Sequence, residues 1–173
     1  RPFRDGDTHA TFRNLTDKVV QEIASLDNEY VLKASKIELE DHFLDKSKVS
    51  PLVLHSSEYY IENREGTKID VSRDFNRAIF PGERAQVSGT KIDIAIPYEG
   101  DPYSWRLRPS SILLSAFPEL EIRDDVIIFS LRFADDTVNP VQIKSDIEKT
   151  VSNLQDTAKN LQRDIENHNN AVI

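Results

Sequence analysis

Residues 139–173 read NPVQIKSDIEKTVSNLQDTAKNLQRDIENHNNAVI. Asn139 followed by Pro140 is typical of a helix start, because asparagine caps the N-terminus and proline fits the first helical position. After this start, apolar residues recur at alternating steps of four and three, which is the a/d pattern of a coiled coil. A helix from 140 to about 169 would be roughly 45 Å long. The members of this heptad stripe are Ile147, Val151, Leu154, Ala158, Leu161, Ile165, His168 and Val172.

The heptad stripe predicts a packed surface, and two kinds of neighbour can cover it. The helix can associate with a second copy or a protein partner, or it can dock on its own chain beside the helix around Phe12 to Leu26. Ala158 and His168 are poor a/d residues, so a homotypic coil would be weak. We expect self-association or partner association, through an interface formed by Ile147, Val151, Leu154, Ala158, Leu161 and Ile165.

Upstream of this helix, residues 49–138 are predicted to form an antiparallel β-domain. Residues 91–96 (KIDIAI) alternate, which places their three isoleucines on one side of a strand. Residues 105–108 (WRLR) alternate in the same way, and Asp124-Asp125 predicts a hairpin turn. Strands without helices between them favour an antiparallel sheet, a sandwich or a barrel.

The first 48 residues are predicted to form a pair of helices that pack on the sheet. Asp7 or Thr8 can cap the first helix, and Ser35 with Glu38 matches a capping box that starts a second helix at about 36–46. The fold class is therefore α+β, with an N-terminal helical pair, a central sandwich-like sheet and a long C-terminal helix. The apolar face of the first helix contains Phe12, Leu15, Val19, Ile23 and Leu26.

Composition excludes several functional classes. The chain has no cysteine, so it can form neither disulfides nor Cys-ligated zinc sites, and its net charge of −8 argues against a broad nucleic-acid-binding surface. It contains no apolar run long enough to span a bilayer and shows no signal segment, so we expect a cytoplasmic protein without a membrane partner. The chain begins at Arg1 and has no methionine, and we expect it to be part of a larger protein or complex.

Arg106 and Arg108 are the residues most suggestive of a ligand. On a strand they would project from one face, where two guanidinium groups can hold a phosphate or a carboxylate. Tyr98 and Tyr103, just before them, are candidates for a stacking edge. Pairing of both arginines with nearby acidic residues is the competing interpretation.

Catalytic and metal sites have weaker support. The four histidines are dispersed, and the chain shows no nucleophile elbow and no phosphate-binding or dinucleotide-binding motif, so we predict no metal and no cofactor. A metal-dependent hydrolase or nuclease would need carboxylates and a lysine at neighbouring strands, for which the candidates are Asp70, Asp93, Glu83 and Lys91.

The leading hypothesis is a non-catalytic interaction or assembly module, in which the C-terminal helix mediates association. The first alternative is a sensor of a small anion or a nucleotide that uses Arg106 and Arg108. The second alternative is a metal-dependent hydrolase with a site around Asp70 and Asp93.

Overall fold

The computed structural model describes residues 3–74, 85–111 and 117–172. It confirms the α+β class, with helices near the N-terminus, a curled antiparallel sheet in the middle and a long C-terminal helix. Every helix in the described ranges is too short or too polar to cross a membrane. The helices are α1 (Thr8–Ala24), α2 (Asn28–Lys33), α3 (Lys36–Ser47) and α4 (Pro140–Ala171). The strands are β1 (Gly6–Asp7), β2 (Val53–Leu54), β3 (Tyr60–Asp70), β4 (Gln86–Glu99), β5 (Leu107–Arg108), β6 (Leu120–Ile122) and β7 (Val126–Ala134).

Three helices precede the sheet instead of the predicted pair. Asp7 caps α1 as predicted, since its side chain accepts a hydrogen bond from the Ala10 amide at 3.1 Å. The unpredicted helix α2 starts at Asp27, whose carboxylate accepts from the Glu29 amide at 2.8 Å. Ser35 occupies the N-cap position of α3, but its side chain makes no capping hydrogen bond, so only the position of the predicted capping box is correct.

The long helix α4 begins as the sequence predicts. The Asn139 side-chain oxygen accepts from the amide of Val141 at 3.1 Å and from that of Gln142 at 3.3 Å. Pro140 occupies the first helical position, where its missing N–H would have no helical partner in any case.

The chain divides into two compact units. The helical unit comprises Arg1–Val53, Glu99–Leu114 and Asp156–Ile173, and the sheet unit comprises Leu54–Tyr98 and Ser115–Gln155. The helix α4 therefore contributes one half to each unit.

In the sheet unit, the strand order is β2-β4-β7-β6, and β3 pairs antiparallel with β4. The predicted alternation in β4 is confirmed, since Ile92, Ile94 and Ile96 are all buried. Ala95 points the other way and is also buried, in a cluster with Ile128 and with Val126. Because both faces of β4 are covered at this point, the sheet packs on two sides rather than one.

The β6–β7 hairpin and a close approach between β3 and β4 complete the sheet unit. Ile122 pairs with Ile127 across the predicted Asp124-Asp125 turn. On β4, a Cβ atom at Gly89 would lie 2.5 Å from the Ile69 side chain and 2.7 Å from the Phe133 carbonyl oxygen. Only glycine allows the three strands to approach this closely.

The helical unit contains the parallel pair β1–β5, in which Gly6 pairs with Leu107. Next to this pair, the rings of Phe3 and Trp105 lie 5.8 Å apart, and both side chains are buried. The predicted alternating strand over residues 105–108 is wrong in its first half, because Pro102–Arg106 forms a 3-10 helix and only Leu107–Arg108 is strand. Gly100 precedes this turn with φ +117, a conformation that favours glycine.

Candidate functional site

The two predicted ligand-binding arginines lie in the helical unit and face carboxylates of their own chain. Arg106 is 4.0 Å from Asp5 and Arg108 is 3.7 Å from Asp7, and all four side chains are about half exposed. Exposed pairs at these distances contribute about 0–1 kcal/mol to stability. This geometry matches the competing interpretation, in which the arginines pair with nearby acidic residues.

The structure places the two predicted stacking tyrosines in different units. Tyr98 is 3% exposed, and its hydroxyl donates to the Arg123 carbonyl oxygen inside the sheet unit. Tyr103 is 49% exposed in the 3-10 turn of the helical unit, where its amide donates to the Asp101 side chain.

The carboxylates proposed for a hydrolase are far apart on the β3–β4 ladder. Asp70 pairs with Gln86, whereas Asp93 pairs with Asn63. Seven residues of β4 separate the two rungs, which is about 23 Å at roughly 3.3 Å per residue. Glu83 lies outside the described residues. Within residues 3–74, 85–111 and 117–172, no three histidine or acidic side chains are grouped so that they could hold a metal ion.

Asp93 instead forms a polar cluster on the face of β4 opposite the buried Ile92 and Ile94. Its carboxylate accepts from the Ser130 hydroxyl at 2.5 Å, and from the Asn63 amide nitrogen and the Lys91 ammonium group at 3.2 Å each. Lys91 also contacts Glu65 at 3.1 Å. The hydrogen bond from Ser130, followed by those from Asn63 and Lys91, lowers the pKa of Asp93.

The lowered pKa predicts how acid affects this cluster. The folded state favours the Asp93 carboxylate, so its contribution to stability is present above the unfolded pKa, near 3.9, and is lost as the pH falls through the lower folded pKa. We expect the free energy of unfolding of an Asp93→Asn variant to fall less steeply below about pH 4 than that of the wild-type protein. Urea unfolding at a series of pH values measures both slopes. Equal slopes would contradict the role of this cluster.

The six predicted interface residues of α4 are buried within the chain. Ile147, Val151 and Leu154 lie in the sheet unit, and none is more than 8% exposed. Ala158, Leu161 and Ile165 lie in the helical unit, and none is more than 3% exposed. The structure therefore matches the second interpretation of the stripe, in which the helix docks on its own chain.

Polar contacts fix the end of α4 within the helical unit. His168 stacks on Phe12 with ring centroids 4.8 Å apart, and its Nε2 lies 2.8 Å from the Ser47 carbonyl oxygen. Asn169 forms two hydrogen bonds with the backbone of Val49, at 2.8 and 2.9 Å. These contacts hold α4 against α1 and against the segment that follows α3.

The helical unit contains a groove of about 890 Å³ between α1, α2 and α3, with the end of α4 at one side. The sequence does not predict this groove. Its lining is mostly apolar and includes Val20, Ile23, Leu26, Val31 and Leu39, together with Asp41.

Large apolar side chains are exposed in the segment that forms this groove. Of the twelve exposed large apolar residues described, six lie within residues 20–37. Three of the six, Val20, Ile23 and Val31, line the groove and are 56%, 45% and 45% exposed. A concentration of exposed apolar side chains is typical of a binding site. The other three residues are Tyr30, Leu32 and Ile37.

The groove exists because α1, α2 and α3 bury few of their side chains in the core. In α1, Phe12 and Val19 are buried, but Ile23 is 45% exposed although it belongs to the same predicted face. The short helix α2 buries none of its residues, and α3 buries only Ser47. The second half of the α1 face and the apolar residues of α2 and α3 are therefore left to line an open surface.

The groove is surrounded by an excess of negative charge. Residues 20–47 contain seven carboxylates and three lysines, a net charge of −4. The lysines are all paired within the segment: Lys33 with Glu29, Lys36 with Glu40 and Lys46 with Glu22. In the described ranges, no cation pairs with the remaining acidic side chains of α3, which are Glu38, Asp41 and Asp45.

Comparison with known proteins gave no match to a family model, to a curated protein or to a solved structure.

Proposed function

We propose that the protein is a non-catalytic interaction module that binds a protein partner in the groove between α1, α2 and α3. The observation that carries this proposal is the apolar groove of about 890 Å³, whose lining includes the exposed large apolar residues Val20, Ile23 and Val31. Leaving such residues in water is unfavourable, and a partner that covers them gains about 25 cal/mol per Å² of apolar surface. Grooves between helices commonly bind the apolar face of another helix.

This proposal keeps the interaction role inferred from the sequence but assigns it to another surface. Leu154 and Leu161 of the heptad stripe are fully buried by the chain itself. A partner could reach them only if α4 left its own core. The groove can accept a partner without any such rearrangement.

Glutamates in the groove wall should abolish binding without unfolding the chain. Val20 and Ile23 are 56% and 45% exposed in α1, where glutamate is a good helix former, so a Val20→Glu/Ile23→Glu variant should keep its melting temperature within a few degrees. We expect a helical peptide selected on the wild-type protein to bind this variant at least about tenfold more weakly, because burying each such side chain contributes about 1.5–3 kcal/mol.

The matched control is Val141→Glu, which places the same substitution on an exposed valine of α4 that does not line the groove. It should leave peptide affinity unchanged. The assay selects from a displayed library of helical peptides and then measures affinity by fluorescence anisotropy. The proposal fails if no peptide is enriched, or if the enriched peptides bind the double variant as well as they bind the wild-type protein.

A further inference from the structure

The charge around the groove restricts the chemistry of its partner. Asp41 lines the groove and has no cationic partner in the described chain, whereas Glu40 beside it is paired with Lys36 at 3.5 Å. The groove therefore combines an apolar floor with an unneutralised carboxylate at Asp41. A partner must therefore cover the apolar floor and carry positive charge opposite the carboxylate.

We propose that the occupant is an amphipathic helix of a partner protein that carries lysine or arginine beside its apolar face. This inference rests on the proposed function of the groove. The apolar face would cover side chains such as Val20 and Leu39, and the basic residues would face Asp41. The twelve-residue length of α3 suits a partner segment of roughly 12 residues, about 18 Å long as a helix.

The same charge disfavours three other occupants. A second copy would bring an identical segment 20–47 with its own net charge of −4, and like charges across an interface oppose association. Anionic lipid headgroups and nucleic-acid phosphates would meet the same repulsion. A basic partner helix is attracted instead, and this attraction speeds its encounter with the groove and weakens with added salt.

Two synthetic peptides test the inference. Both carry the same leucine and phenylalanine anchors at helical spacing. One has lysines at the flanking positions and the other has glutamates. We expect the lysine peptide to bind the wild-type chain at least about fivefold more tightly at low salt, with a smaller difference in high salt. Fluorescence anisotropy at two ionic strengths measures both affinities.

Charge reversals locate the effect. Asp41→Lys should remove most of the preference for the lysine peptide. Asp124→Lys, in the β6–β7 turn of the sheet unit, changes the net charge from −8 by the same amount and should preserve the preference. An equal loss in both variants would indicate a general charge effect and overturn the assignment to the groove.

The remaining outcomes separate this inference from the proposed function. If both peptides bind equally and both lose affinity in Val20→Glu/Ile23→Glu, the basic partner is wrong but the groove still binds helices. If neither peptide binds, or if binding persists in the double variant, the inference and the proposed function both fail. A dimer in light scattering that the double variant dissociates would assign the groove to a second copy and overturn the inference.

Discussion

Replacing Leu161 with alanine should lower the free energy of unfolding by about 2–5 kcal/mol. Leu161 is fully buried in the helical unit, and the adjacent stripe residues Ala158 and Ile165 are buried with it. Removing its isobutyl group loses the favourable transfer of those carbons from water and leaves a cavity that a close-packed core fills only partly. The expected loss is a large share of the stability of an ordinary domain, which is about 5–15 kcal/mol.

The fluorescence of Trp105 provides a local measurement of this loss. It is the only tryptophan of the chain, and it is fully buried in the same unit as Leu161. Urea unfolding followed by tryptophan fluorescence should therefore show a lower midpoint in Leu161→Ala. The matched control is Val141→Ala on the same helix, where the side chain is 79% exposed and the change should stay within about 0.5 kcal/mol.

The opposite result would restore the assembly hypothesis for α4. If Leu161→Ala converted an oligomer to a monomer in light scattering while the unfolding midpoint stayed the same, the stripe would serve an interface between chains. The burial of Leu161 within one chain predicts the reverse, a loss of stability at constant mass.

The sequence predicts α4 well because its evidence is local. Asn139-Pro140 determines where α4 begins. The apolar residues that recur at steps of three and four lie on one face of the helix, and this face must pack against another apolar surface. The periodicity does not identify what covers that face. Packing against the same chain and packing against another chain both require apolar side chains at positions such as Leu154 and Leu161. The sequence therefore does not distinguish the two interpretations of the stripe.

The sequence contains a local signal against the predicted alternating strand over residues 105–108. Asp101-Pro102 has the same form as Asn139-Pro140, an acceptor side chain followed by proline, and it starts a short 3-10 helix through Arg106. The Asp101 carboxylate accepts from the Tyr103 amide at 2.8 Å. Capping of this kind occurs at short turns as well as at long helices, and it outweighs an alternation of only four residues.

The apolar spacing of α1 does not predict the groove. Phe12 and Val19 are buried, but Ile23 is not, and helical spacing alone cannot distinguish an inward face from a partner-binding face. The signal that could have found the groove lies in Tyr30-Val31-Leu32. Successive helical residues are about 100° apart, so three consecutive apolar side chains cannot all point into one core.

Local sequence patterns do not predict contacts between segments that are far apart in the chain. In the sequence, Asp164 is an ordinary polar residue of a charged helix. In the fold it is 7% exposed, and its partners Thr8 and Ser110 lie 156 and 54 positions away. The Oδ2 atom accepts from the Thr8 hydroxyl at 3.0 Å and from the Ser110 amide at 2.7 Å, while Oδ1 accepts from the Ser110 hydroxyl at 2.6 Å.

Replacing Asp164 with alanine should therefore cost about 3 kcal/mol of stability, more than a typical surface substitution. The variant leaves the Thr8 hydroxyl, in a side chain that is only 1% exposed, without its acceptor, and it also removes both hydrogen bonds that the exposed residue Ser110 donates. Asp164→Asn should also destabilise, because its amide group would present a donor where the carboxylate accepts hydrogen bonds on both oxygens.

A double-mutant cycle of Asp164→Ala with Thr8→Val isolates the bond between these two side chains, with stability again measured by urea unfolding. We expect a coupling of about 1 kcal/mol or more, since a hydrogen bond to a charged group usually contributes about 1.5–3 kcal/mol. An Asp164→Ala variant that is more stable than the wild-type protein would contradict the structural role. A buried carboxylate that lowers stability is retained for another purpose, and the small cavity that Asp164 shares with His9, Arg13 and His168 would then be the place to search for a ligand.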